Sequence, residues 1–342
     1  MANFVKPRYT NSRIRAAGKR ISKSKGSFED NIVLENFRAS HAYILNTFQA
    51  NIRNHARNLE KTVGQRLKRR ATIIDKLKRE PNMPLSSMHD IAGCRIVLKD
   101  IDSLNKVRNS MRNARWRHYI SHEEDKYDYI NNPKSTGYRG IHDVYTYKVL
   151  SAGGQPYNDL KIEVQFRTQS QHAWATAVEV ADLITSNRIK FSEASEYYLE
   201  YFQLASEIIA RSSEKSKSCL PLISDKELVR NFSLADKRLG LMQTLDNLRS
   251  TTQRNVKFKK NSLLIFRFGD GAVDSELEIL TFDNVNRAIE TYDELEKKYG
   301  TSADIVLVRG ESEENIRSAF RNYFSDARAF VDLINDGISY LS

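Results

Sequence analysis

Between residues 30 and 57 apolar side chains return every three or four positions: Ile32, Leu34, Phe37, Tyr43, Ile44, Phe48 and Ile52. That period predicts a long amphipathic helix or a helix pair. The same period predicts a second helix over 63–78, with Ile73, Ile74 and Leu77 on its apolar side. "EPNMPLSS" ends it, because proline cannot continue the hydrogen-bond ladder. The pattern then shortens. "CRIVLK" is β-branched and brief, and "HDVYTYKVL" and "KIEVQFRT" alternate apolar with polar, so three strands are expected, with a helix over 101–114 after the first. "QSQHAWATAVEVADLI" opens a run of helices continuing over 193–217 and 223–252. After a polar, basic linker near 255, "LLIFRF", "ELEIL" and "ADIVLV" predict strands, with helices over 283–299 and 312–338. The chain therefore reads as α+β: a mixed sheet flanked by helices over 1–255, then a small α+β domain over 256–342.

Length allows two or three domains. There is no run of 18 apolar residues, so no membrane span is expected. The basic N-terminal stretch lacks an apolar core, which argues against a secretory signal. Cys94 and Cys219 form neither a metal-spaced nor a disulfide pattern, so a cytoplasmic location is expected. The first 26 residues, rich in Lys, Arg and Ser, predict a mobile arm or a short helix.

Charge divides the chain further. Residues 1–80 hold 19 Lys/Arg against 6 Asp/Glu, a net of +13, whereas residues 261–342 hold 8 against 16, a net of −8. A basic first third points to phosphate-rich partners. The acidic last quarter is either a solvated surface or a cover for the basic part.

Four segments concentrate polar side chains beside apolar strands. In 65–79, Arg66, Lys68, Lys76 and Arg79 are candidates to converge on a polyphosphate. In 89–99, Asp90 stands just before a core strand and Arg95 lies within it, where a charge needs a partner. The leading His-Asp pair suggests a metal hydrolase, but seven histidines without suitable spacing do not support one. In 128–144, Lys134, Tyr138 and His142 share a loop whose Gly137 and Gly140 permit a tight backbone. In 161–175, Glu163, Gln165 and Arg167 alternate and so project from one strand face. No Walker-type loop or GxGxxG motif is present, so any phosphate grip falls to Lys and Arg side chains.

Together "KRRATIIDKLKR", "HDIAGCR", "DYINNPKSTGYRGIH" and "EVQFRTQSQHAWA" resemble, in order, the synthetase domain of the RelA/SpoT family. "FRASHAYILNTFQ" extends the likeness upstream. The resemblance implies a nucleotidyltransferase-like fold and transfer of pyrophosphate from ATP to a ribose 3′-hydroxyl, releasing AMP. It implies that Arg66, Lys68, Lys76 and Arg95 bind ATP and that Asp90 holds Mg²⁺. Glu163 is implied as the base for the 3′-hydroxyl and a second contact to the metal. Lys134, Tyr138, His142 and Gln165 are implied on the acceptor side, with Tyr138 stacking on the acceptor base. The family's hydrolase domain has no counterpart in this sequence.

"SAFRNYFSDARAFVDLI" (318–334) resembles the end of the CapRel type of fused toxic synthetases. That likeness implies pyrophosphorylation of the tRNA 3′-CCA end, which blocks translation in phage defence by abortive infection. It also implies autoinhibition by an antitoxin-like C-terminal domain, released by a phage capsid protein. An aromatic plug at the ATP site would correspond here to Phe320 and Tyr323, with Phe at the first position. The acceptor stays open between tRNA and GDP or GTP, the latter giving (p)ppGpp. The basic first third favours tRNA. A monomer is expected, because the added domain would obstruct the tetramer of shorter relatives.

Overall fold

The computed structural model describes residues 4–123, 125–185, 196–247, 261–267, 276–299, 303–309 and 327–342. Its centre is a mixed sheet of β1 (Lys61–Leu67), β2 (Ala92–Leu98), β3 (Tyr119–Ile120), β4 (Ile141–Thr146) and β5 (Lys161–Thr168), in the order β1-β2-β5-β4-β3. Only β2 and β5 run parallel; the other neighbours are antiparallel. One face carries Val63, Leu67, Cys94, Ile96, Ile162, Val164 and Phe166, all buried. Helices α2 (Phe28–His55) and α4 (Ile101–Arg112) pack against the sheet. A buried ion cluster ties α4 to this core: Arg108 and Arg112 both bond Asp143 of β4, which is fully buried.

The helix expected over 63–78 is in fact two elements. Residues Lys61–Leu67 are strand β1, and helix α3 covers only Arg70–Arg79. Val63, Gln65 and Leu67 alternate inward, and seven residue pairs join β1 to β2. A strand partner of that length outweighs helical propensity, which Gly64 weakens further. Lys68 therefore precedes the helix rather than sharing a face of it with Thr72 and Lys76.

The N-terminal stretch forms helix α1 (Asn11–Ser22), capped by the Thr10 hydroxyl. Its Ile14, Ala17 and Ile21 are buried, and it packs on α2. Arg13 and Arg20 both reach Asp30, at 3.0 and 2.6 Å, and Asp30 also closes a capping box with Ser27. Part of the basic surplus thus serves the fold.

Helices α5 (Gln169–Thr185), α6 (Glu196–Glu214), α7 (Asp225–Leu239) and α8 (Leu241–Asn247) form a second core. The last helix, α10 (Arg328–Leu341), packs into this bundle, mainly on α6 and α5. The smaller sheet has the order β7-β6-β8, built from β6 (Asn261–Arg267), β7 (Glu276–Phe282) and β8 (Ala303–Arg309). Leu263 and Ile265 face helix α9 (Val285–Tyr299) through Tyr292. Leu264, Val306 and Val308 on the opposite face are buried too, and β8 lies against β1. Among the described residues the C-terminal part thus touches the larger unit at the β1 edge and at the helical bundle. No described helix is long and apolar enough to cross a membrane.

Candidate active site

The register brings four of the sequence-picked segments onto one sheet face. Arg66 pairs with Gly93, which pairs with Glu163; Arg95 and His142 flank Gln165 on either side. Paired residues on neighbouring strands share a face, so Arg66, Arg95, Glu163, Gln165, Arg167 and His142 stand together.

At one end of this face Asp90 precedes β2. Its Oδ2 accepts from Lys68 Nζ at 2.9 Å and Lys76 Nζ at 3.0 Å. Burial works against its ionisation, but the two lysines overcome that and hold the carboxyl below its ordinary value. Its Oδ1 is buried without a hydrogen-bond partner. Lys68 in turn is pulled down, first by burial and then by neighbouring Arg66 and Lys76. Arg95 is pushed down to about 10 by burial, Arg167 and Arg66.

In the middle, Glu163 is one link of a hydrogen-bonded chain. Its Oε1 meets His142 Nδ1 at 2.6 Å, and its Oε2 accepts from Gln165 Nε2 at 3.0 Å. Gln165 Oε1 accepts from Arg95 Nε at 3.4 Å. On the other side His142 Nε2 lies 2.6 Å from the Tyr138 hydroxyl, which also accepts from Arg167 Nε and Nη2 at 3.3 and 3.2 Å. The chain thus runs Arg95–Gln165–Glu163–His142–Tyr138–Arg167. Burial opposes the charge on Glu163, yet His142 and Gln165 hold its carboxyl well below the usual range. Burial also opposes charge on His142, but Tyr138 and Glu163 raise it to about 9.

The Tyr138 hydroxyl is held by His142 and Arg167, and Arg167 lies 5.2 Å from its ring centroid. Burial would raise this phenol, but the nitrogens converging on its oxygen bring it down to about 7. The fold therefore favours the Tyr138 anion, and its contribution to stability grows as pH climbs from about 7 towards the free phenol value. The His142 contribution has the opposite sign: full below its free value and lost as pH rises through about 9. Tyrosinate absorbance, taken as wild type minus Tyr138→Phe, should titrate well below the ordinary tyrosine range. A difference spectrum showing no tyrosine ionising below about pH 9 would contradict this assignment.

The loop before β4 places these groups. Gly137 sits at φ +89°, and a Cβ there would meet Ser206 Cβ at 2.9 Å and the Phe202 carbonyl at 3.1 Å. The loop therefore lies directly on α6. Gly140 is at φ +149°, where a Cβ would meet the Tyr138 hydroxyl at 3.2 Å. Lys134 is exposed, its Nζ 4.5 Å above the Tyr129 ring and 5.4 Å from that of Tyr138. The charge of Arg66 is felt at both Lys68 and Arg95. Phe320 and Tyr323 lie outside the described residues.

Two participants lacked an assigned role in the sequence reading. Arg167 was visible through its alternation with Glu163 and Gln165, but its bond to Tyr138 was not. His89 precedes Asp90 and lies close enough to Glu163 to lower its carboxyl electrostatically. Among the described residues no three His, Cys, Asp or Glu side chains converge as a metal cage. The buried, unpartnered Asp90 Oδ1 and the nearby Glu163 carboxylate nevertheless suit Mg²⁺, which takes one or two carboxylates and completes its shell with phosphate and water.

Residues 65–184 match the family described as "Region found in RelA / SpoT proteins". GTP pyrophosphokinase YjbM of Bacillus subtilis (strain 168) is 34% identical over 116 residues, 33% of this chain and 52% of that protein. GTP pyrophosphokinase YwaC of the same strain is 29% identical over 131 residues, 36% of this chain and 58% of that protein. The chain thus spans only a little over half the length of these curated relatives. Among solved structures, small alarmone synthetase 1 from Bacillus subtilis, bound to its product pppGpp, is similar with a TM-score of 0.41 and 21% identity. The similarity covers 62% of this chain and 97% of that one.

Proposed function

We propose that this protein transfers the β,γ-pyrophosphate of ATP to a ribose 3′-hydroxyl and releases AMP. The observation that carries this reading is the charge arrangement of one sheet face. Among the described residues Arg66, Lys68, Lys76, Arg95 and Arg167 stand around the carboxylates of Asp90 and Glu163, with Glu179 close enough to act on Arg95. That cationic surplus suits a triphosphate, and side chains replace the missing glycine cradle. In this reading Arg66, Lys68, Lys76 and Arg95 bind ATP. Asp90 and Glu163 would hold Mg²⁺, which when bound neutralises phosphate charge.

The acceptor 3′-oxygen attacks the β-phosphorus of ATP, and the bond from that phosphorus to the oxygen bridging α and β breaks. AMP leaves with that oxygen, and the 3′-hydroxyl proton passes to Glu163. Glu163 is ionised at neutral pH, as a proton acceptor must be. His142 and Gln165 also weaken it as a base, so an acceptor that draws His142 away raises its basicity. Lys134 contacts phosphate at the acceptor side, and Tyr138 orders His142 through its hydroxyl.

The acceptor in this reading is the 3′-CCA end of tRNA, supported by the +13 first third. Arg13 and Arg20, engaged by Asp30, contribute less to it than their charge suggests. GDP or GTP is the second reading, favoured by curated relatives that are GTP pyrophosphokinases. Offering tRNA and GDP together with γ-labelled ATP decides between them. Label on tRNA supports the first reading, and label on the nucleotide alone rejects it.

The region 256–342 acts in this proposal as an antitoxin-like regulatory part, released by a phage capsid protein in abortive infection. Its support is one buried side chain. Arg38 of α2 donates to the Lys68 carbonyl at 2.7 Å and to the Tyr292 hydroxyl of α9, with its guanidinium 4.8 Å from the Tyr292 ring centroid. One guanidinium thus links the Lys68 backbone, beside β1, to helix α9 of the C-terminal region. Tyr292→Phe keeps the ring and removes the hydroxyl, so basal transfer should rise several-fold in the turnover assay. An unchanged or lower rate would argue against this link as a restraint.

A further inference from the structure

Apart from Lys134, the aromatic and cationic side chains of the segment from 115 to 134 have no part in the proposed chemistry. Starting at His142, the Tyr129 ring lies 5.5 Å away, and 5.8 Å from Tyr138. Tyr127 follows 6.4 Å from Tyr129, and His122 lies 5.0 Å beyond Tyr127. Each tyrosine has its own lysine: Lys134 Nζ lies 4.5 Å over the Tyr129 ring, and Lys126 Nζ lies 5.6 Å over Tyr127. Both lysines are exposed, and among the described residues neither has an acidic partner.

The same segment begins at an edge of the sheet. Among the described residues β3 pairs with β4 alone. In the bend that leads into β3 and along β3 itself, Trp116, His118 and Ile120 are half-buried, while Arg115, Arg117 and Tyr119 are exposed. Arg115 and Arg117 have no acidic partner among the described residues, whereas Arg108 and Arg112 just upstream are both engaged by Asp143. The arginines of this stretch therefore divide into a buried structural pair and an outward pair.

A mononucleotide acceptor needs one platform and one phosphate grip. Here two tyrosine rings, each with a lysine, continue outward from His142, and an exposed arginine pair precedes the edge strand of the same sheet. We infer that Tyr129 and Tyr127, with Lys134 and Lys126, form a track for the single-stranded 3′ end of an RNA acceptor, and that Arg115 and Arg117 hold its backbone phosphates. This rests on the RNA reading of the acceptor and adds the residues that would distinguish a polynucleotide from GDP. Stacking tolerates any base, and paired Lys and Arg follow the backbone.

The test measures fluorescence anisotropy of the full chain with a labelled RNA oligonucleotide ending in CCA, over a salt series. A polyglutamate peptide serves as competitor. Tyr127→Leu should weaken RNA binding roughly tenfold or more, and Tyr127→Phe should restore it, since stacking needs a ring and not merely bulk. The surface double variant Arg115→Ala/Arg117→Ala should lower the salt slope by about two. It serves as the independent arm if Tyr127→Leu does not fold. If wild type transfers label to tRNA while these variants bind RNA as tightly as it does, the track is overturned and the acceptor reading stands. If wild type binds no CCA-ended RNA and labels GDP alone, the acceptor reading fails and the track with it. Competition by polyglutamate as strong as by RNA would assign this edge to an acidic peptide and overturn the track.

Discussion

Glu163→Gln should lower pyrophosphate transfer about 10²- to 10⁴-fold while leaving the fold intact, the range expected for loss of a positioned base. The amide fits the space of the carboxylate and keeps an oxygen for His142 Nδ1, so packing changes little. It cannot take the 3′-hydroxyl proton. It also removes the charge that helps raise His142 to about 9. The variant should therefore combine two readouts: lost turnover, and a His142 ring that titrates nearer its ordinary range by NMR. Turnover within a few-fold of wild type would remove Glu163 from the proton-transfer role.

The largest effect on stability should come from the last helix. Phe330→Ala should cost about 3–5 kcal/mol in urea unfolding, the range for a buried aromatic truncated to alanine. Phe330 and Ile334 are fully buried, and the Phe330 ring lies 6.0 Å from that of Phe202. Gly337 fits so closely that a Cβ would come within 2.5 Å of Ile208 Cγ2. Removing everything after 255 would therefore open the α5–α8 core as well as removing the small sheet. A truncation meant to test autoinhibition has to keep α10, and the Tyr292→Phe variant avoids the difficulty altogether. A cost below about 1 kcal/mol for Phe330→Ala would mean that α10 is not an integral part of the bundle.

The sequence announced the polar face through local pattern. Alternation of Glu163, Gln165 and Arg167 on a strand needs no partner to be read, and Asp90 stands out as a carboxylate just before an apolar run. What it could not announce depended on distant pairing. β1 has helix-compatible residues and becomes a strand because β2 lies beside it. The hold of His142 and Arg167 on the Tyr138 hydroxyl likewise joins residues from different strands and a loop. The C-terminal helix shows an apolar face, but periodicity does not say which core takes it, and α6 does. Arg13 and Arg20 count towards a basic N-terminal surface only until Asp30 engages both.

Attack at the β-phosphorus would distinguish the proposed reaction from ordinary kinase action, and the nucleotide left behind records which phosphorus was attacked. The full-length protein, with its Tyr292→Phe variant in parallel, should be incubated with γ-labelled ATP and each acceptor, and the nucleotides separated. The account predicts AMP in step with label appearing on the acceptor, both lost in Glu163→Gln. ADP accompanying a labelled acceptor, or no labelled acceptor with either protein, would contradict it.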